Sequence, residues 1–170
     1  ARGERLLEDF TSRLAEAETG EETAPFLVSP LAYAGAHSPF VGRTAELHDI
    51  TSRLGDGQCR LLTLLGPGGI GKTRLAIEAA QQLSGTFADG AAFVDLAAID
   101  DPAYLPEGVA QALNLTFPGA AADQLPRLLQ LRQMLILLDN CEQLAVAESD
   151  GLVWLSRLLS AAPGIKLLAT

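Results

Sequence analysis

Residues 60–73 read RLLTLLGPGGIGKT: an apolar run of strand length, then four glycines in six positions, then lysine and threonine. The stretch Gly66–Thr73 fits G-x-x-x-x-G-K-[ST], a pattern that carries meaning when it follows a strand and opens a helix. Both conditions are met, because KTRLAIEAAQQL (72–83) has Leu75, Ala79 and Leu83 four apart, the spacing of one helix face. The chemistry explains the spacing. Gly66, Gly68, Gly69 and Gly71, with Pro67 and Ile70 between them, let the backbone curl so that its N–H groups point inward. The helix that begins near Lys72 adds its positive N-terminal end. Lys72 then serves as a mobile point charge for β- and γ-phosphates, and the Thr73 hydroxyl can ligate Mg²⁺. Arg74 reads as a surface helix residue, with a phosphate contact as its alternative.

Outward from this loop the chain alternates strand and helix. Helices are expected over 44–54 (capped by Thr44), 72–83, 100–113, 123–133 and 150–162. Within 100–113, Pro106 complicates the start, and the regular helix can begin there. Strands are expected at 60–65, 91–96, 134–139 and 165–170. These strands are apolar without alternation, so the fold class is α/β, a parallel sheet covered by helices on both faces. Ligands of such sheets bind at the carboxyl ends of the strands, which directs attention to 66–73, 139–142 and Thr170.

The second informative strand is LILLDNCEQL (135–144), apolar residues running into Asp139. A phosphate-binding loop needs a partner that holds Mg²⁺, and four hydrophobic residues ending in aspartate supply it. Asp139 is therefore the second metal candidate beside Thr73, with helix capping as the alternative role. Many nucleotide hydrolases carry a carboxylate at the next position, where this chain has Asn140. An amide can orient a water or sense a phosphate but cannot take a proton at neutral pH. Glu142 is the nearest carboxylate beyond, a general base if the turn aims it inward and a solvated side chain if not. Lys72, Asp139, Asn140 and Glu142 form the candidate catalytic set. Cys141 reads as a small packing residue.

Composition narrows the classes. The 170 residues are 48% hydrophobic, enough for one ordinary core. A net charge of −9 argues against nucleic-acid binding by this segment. No apolar run approaches the roughly 20 residues of a membrane span, and the charged start ARGERLLEDF is no signal peptide. Cys59 and Cys141 suggest no disulfide framework, so a cytoplasmic setting is expected. His37 and His48 lack metal-site spacing. Residues 1–38 divide off as an amphipathic helix (4–18) and a linker, ahead of a nucleotide-binding unit at 39–170. The start at Ala1 and the end in IKLLAT suggest a piece of something longer.

PFVGRTAEL (39–47), GPGGIGKT, LLDNCEQL and KLLAT, in this order and spacing, resemble the STAND class of P-loop NTPases, the NB-ARC-like or apoptotic-ATPase group that includes modules of large bacterial transcriptional regulators. The resemblance covers about residues 39–170. It implies ATP/ADP and Mg²⁺ as ligands and a conformational switch whose open state can form a homo-oligomer or release an effector domain of the same longer chain. It places Phe40, Val41 and Gly42 against adenine as a backbone wall, with Arg43 close by. It makes Thr170 the first residue of a phosphate-sensing motif. It also implies a fifth strand beside the P-loop strand, so that residues 1–170 would leave a long hydrophobic edge exposed.

Asn140 in place of the second acid fits slow hydrolysis, so the reading is a nucleotide-binding switch with slow ATPase activity. An ordinary P-loop enzyme, either a kinase or an ATP-driven motor, would need an acceptor site that the sequence does not show. A scaffold with a vestigial loop is opposed by intact Lys72, Thr73 and Asp139.

Overall fold

The computed structural model describes residues 40–144 and 149–170, so the expected helix at 4–18, the linker and the boundary near 38 lie outside the described residues. The elements run α1 (Thr44–Gly55), β1 (Leu61–Thr63), α2 (Lys72–Leu83), β2 (Ala91–Asp95), α3 (Leu105–Ala112), α4 (Ala121–Leu128), β3 (Met134–Asp139), α5 (Asp150–Ala161) and β4 (Ile165–Ala169). The strands are parallel and ordered β1-β4-β3-β2.

The uniform apolarity of the central strand follows from its position. Every residue of β3 is buried. Met134, Ile136 and Leu138 join a cluster with α3, α4 and α5. Leu135 and Leu137 join another with α1 and α2. A strand with helices on both faces has no polar side, and the two-residue period sorts its side chains between them. The same parity fixes the last residue: Asp139 shares the face of Leu135 and Leu137, the face that α2 covers.

Several boundaries move for identifiable reasons. Thr44 is the first residue of α1, not its cap. The capping position is Arg43, in left-handed conformation (φ 54°) and without a side-chain cap bond. The strand expected at 60–65 is regular over Leu61–Thr63, with Arg60 O and Leu64 N each adding one backbone hydrogen bond to β4. Arg60 also sends its guanidinium to the carbonyls of Leu159, Ala162 and Ile165, closing the end of α5. The expected helix at 100–113 opens with a 3₁₀ turn, Pro102–Tyr104, before α3. The helix expected at 123–133 runs over Ala121–Leu128, with Pro126 inside it. Proline has no N–H for the carbonyl four residues back, and that carbonyl, Ala122 O, accepts from Trp154 Nε1 at 3.0 Å. The indole thus supplies the donor that the helix lacks and ties α4 to α5.

Among the described residues β1 is an edge strand. The exposed apolar edge is short rather than long, three paired residues with Leu61 at 52% exposure. Lys166, on β4, donates to Leu54 O and Asp56 O (2.7 and 2.6 Å), capping α1 from the sheet.

Candidate functional site

The carboxyl ends of the strands converge on the loop that precedes α2. The loop's conformation requires glycine at two places: Gly69 (φ 77°) and Gly71 (φ 85°) are both left-handed. Gly71 occupies the position before α2, so the first turn of that helix presents its free N–H groups to the loop's concavity. Lys72 Nζ donates to Gly66 O (2.9 Å) and Pro67 O (3.1 Å), folding back over the loop.

Thr73, in the first turn of α2, donates from Oγ1 to Asp139 Oδ1 at 2.8 Å, joining positions 66 residues apart. The Thr170 hydroxyl also donates to Asp139 Oδ1. Parity explains the meeting. Leu168 packs on the α2 face of the sheet, and Thr170 follows two residues later. The backbone holds the strand ends together: Thr170 N donates to Leu138 O (3.0 Å), and Cys141 N donates to Thr170 O (2.8 Å). Asp139 and Thr170 are 6% and 7% exposed. The Asp139 carboxylate therefore faces hydroxyls across the sheet. Three oxygen-bearing side chains in contact suit a hard divalent cation such as Mg²⁺, and the glycine-lined helix N-terminus suits a phosphate chain.

Residues of the PFVGR lead-in arrive at the same place. The Arg43 guanidinium lies 4.0 Å from where a Cβ on Gly71 would stand, and its Nε is 3.7 Å from Glu46 Oε1. The Arg74 guanidinium sits 6.0 Å from the centroid of the Phe40 ring, and Phe40 packs against the α1–α2 core cluster. Gly42 has φ 81°, and Val41 is exposed. The structure thus brings Phe40, Arg43 and Arg74 beside the loop. Glu142 is not brought in with them. It is exposed on the 3₁₀ turn Cys141–Leu144 and, among the described residues, bonds neither Asp139 nor Thr73.

Asn140 is left-handed (φ 63°), and its Nδ2 donates to Asp95 Oδ1 at 2.9 Å. Asp95 ends β2 in register with Asp139, and its Oδ1 also accepts from Ala97 N at 2.9 Å. Sequence reasoning passed over Asp95. The signal was present, since AAFVD has the same apolar-run-then-aspartate form as LILLD, but extending that strand through Leu96 hid the aspartate inside it. Cys141 is a free thiol. Burial above all pushes its pKa up to about 11; the backbone hydrogen bond at Thr170 draws it partly back, and the Asp139 and Glu142 charges raise it further.

No known family model matches the chain. A putative HTH-type transcriptional regulator of Mycobacterium bovis is 44% identical over 115 residues, 66% of this chain and 12% of the regulator. An uncharacterized Mycobacterium tuberculosis protein is 37% identical over 133 residues, 77% of this chain and 33% of that protein. The regulatory protein AfsR of Streptomyces griseus is 30% identical over 170 residues, 91% of this chain and 16% of AfsR. The chain thus spans an eighth to a third of the length of these relatives. Among solved structures, the Aeropyrum pernix ORC2 protein, in ADPNP-ADP complexes, aligns with TM-score 0.58 at 18% identity over 76% of this chain and 41% of that one. Cdc6p of Pyrobaculum aerophilum aligns with TM-score 0.56 at 18% identity over 82% and 40%. The fold is the three-layer α/β fold of P-loop NTPases, and the sequence relatives include regulators many times longer than this chain.

Proposed function

We propose that this chain is the ATP/ADP-binding, Mg²⁺-dependent switch domain of a multidomain transcriptional or signalling regulator of the STAND class, with slow ATP hydrolysis and a cytoplasmic setting. The observation that carries the reading is the 2.8 Å contact between Thr73 and Asp139, which joins the phosphate loop to the end of β3. In this reading the loop amides and the α2 N-terminus hold the phosphates, and Lys72 leaves the Gly66 and Pro67 carbonyls to meet the terminal ones. Thr73 and Asp139 hold Mg²⁺, which when bound neutralises phosphate charge. Phe40, Val41, Gly42 and Arg43 form the adenine side, and Thr170 reports the state of the site to whatever follows β4.

The same geometry supports slow turnover. Asn140 cannot accept a proton, and the turn leaves Glu142 exposed, so the reading assigns Glu142 no step. Regulators among the relatives support a regulatory output. Nucleotide exchange, rather than flux, then sets the conformation, and partners are other domains of the same chain or further copies of it. Titration calorimetry with ATP and ADP, with and without Mg²⁺, tests this. Tight Mg²⁺-dependent binding, lost in Lys72→Ala, is expected. A wild-type chain that binds neither nucleotide would end the proposal.

A further inference from the structure

The polar link between β2 and β3 has no part in the metal and phosphate contacts described above. Asp95 and Asp139 are register partners at the carboxyl ends of adjacent parallel strands. Neighbouring strands lie about 4.8 Å apart, so their side chains stand side by side on the α2 face. The residue after Asp139 adopts a left-handed conformation, which asparagine tolerates better than most residues. That conformation turns Asn140 toward β2, where its amide nitrogen reaches Asp95.

We propose that Asp95 is a positioning residue for hydrolysis at this site, fixing which end of the Asn140 amide serves the attacking water. The inference rests on the nucleotide-binding reading above. A carboxylate only accepts hydrogen bonds, whereas an amide has a donor end and an acceptor end of nearly equal shape. Placed against Asp95, Asn140 is held with its NH₂ toward β2. The reverse orientation would set oxygen against oxygen. Its carbonyl oxygen, which meets no donor among the described residues, is thereby left as the acceptor one residue from the Thr73–Asp139 contact. An acceptor there can take a hydrogen bond from water and direct the water's lone pair at a terminal phosphate.

The chemistry balances without a protein base. The water oxygen bonds to the terminal phosphorus, and the bond to the nucleoside diphosphate breaks, taking its electron pair. One water proton stays on the released phosphate and the other passes to solvent. Asn140 orients the water and gains no proton, which agrees with slow turnover.

Asp95 also accepts from Ala97 N, so the test must separate orientation of Asn140 from support of that turn. Single-turnover ATP hydrolysis and nucleotide binding are measured for wild type, Asp95→Ala, Asp95→Asn, Asn140→Ala and the Asp95→Ala/Asn140→Ala pair. Asp95→Ala and Asn140→Ala are each expected to lower the hydrolytic rate about tenfold while nucleotide Kd changes less than about twofold. The pair is expected to be no slower than either single variant, since two residues acting through one contact are not additive. Asp95→Asn keeps an oxygen for both hydrogen bonds and is expected to restore most of the rate. Additive losses, or an Asp95→Asn variant as slow as Asp95→Ala with binding intact, would overturn the assignment. So would a wild type that binds Mg²⁺–ATP and shows no turnover, which leaves the binding reading standing. Absence of binding by wild type instead removes the underlying reading, and this inference with it.

Discussion

Replacing Asp139 by asparagine separates a functional aspartate from a structural one through the sign of the stability change. Asp139 is buried, and among the described residues its side-chain partners are the Thr73 and Thr170 hydroxyls, with no cation paired to it. Withdrawing a carboxylate from water costs several kcal/mol unless a positive charge compensates. Two hydrogen bonds to a charged acceptor return about 1.5–3 kcal/mol each. Asparagine has nearly the same shape and keeps an oxygen for both hydroxyls, at about 1 kcal/mol each. Losing the desolvation cost then roughly offsets the weaker bonds, so the ligand-free Asp139→Asn chain is expected to gain roughly 0–2 kcal/mol, or about 0–8 °C in Tm. The ligand response should move the other way. If the proposed binding holds, Mg²⁺–ATP at 100 times Kd is expected to stabilise the wild type by about 2.7 kcal/mol, roughly 5–10 °C. In the variant the part of that gain that EDTA removes is expected to vanish. Differential scanning fluorimetry on both chains, with ATP plus Mg²⁺ and ATP plus EDTA, reads all four values. A ligand-free Tm lowered by more than about 6 °C, with the Mg²⁺-dependent gain intact, would show that Asp139 holds the fold and not the metal.

Other expectations test the frame around the site. A Cβ on Gly164 would run into the Arg132 carbonyl, so Gly164→Ala is expected to cost about 1–3 kcal/mol of unfolding free energy in urea titrations. Trp154→Phe leaves Ala122 O without its indole donor, because Pro126 cannot replace it; a loss of about 1–3 kcal/mol is expected by the same assay. The thiol of Cys141, moved from 9.0 to about 11, should alkylate with iodoacetamide at pH 8 about 100-fold more slowly than an unshifted thiol, read by mass spectrometry of the labelled peptide. Since its folded pKa is raised, the stability that goes with the neutral thiol is present below pH 9 and is lost as pH rises toward 11.

How legible the molecule was in its sequence depends on how local the deciding physics is. The glycine loop could be read because its conformation is a backbone property. Residues that need left-handed angles announce themselves, and Gly69 and Gly71 adopt them. Helix α2 and strand β3 have the bounds their periodicity indicated, since apolar spacing reports burial directly. Helix ends are finished by distant groups. The Arg60 guanidinium caps α5 while its carbonyl stays bonded to β4, and Lys166 caps α1 across the sheet. Neither partner is near in sequence, so no local pattern could assign them.

The candidate site divides in the same way. Sequence by itself determined the parts list, a glycine-rich loop opening a helix at Lys72 and Thr73 and a strand ending at Asp139, because each part is a short motif with its own local pattern. Only the tertiary structure decided the contacts: parallel register and two-residue parity set Asp139, Thr170 and Asp95 on the face that α2 covers, and turned Asn140 toward β2. Strand order is a global outcome of packing two helical layers on one sheet. A lone aspartate at the end of β2 therefore acquires a partner through that order and through nothing in its own neighbourhood.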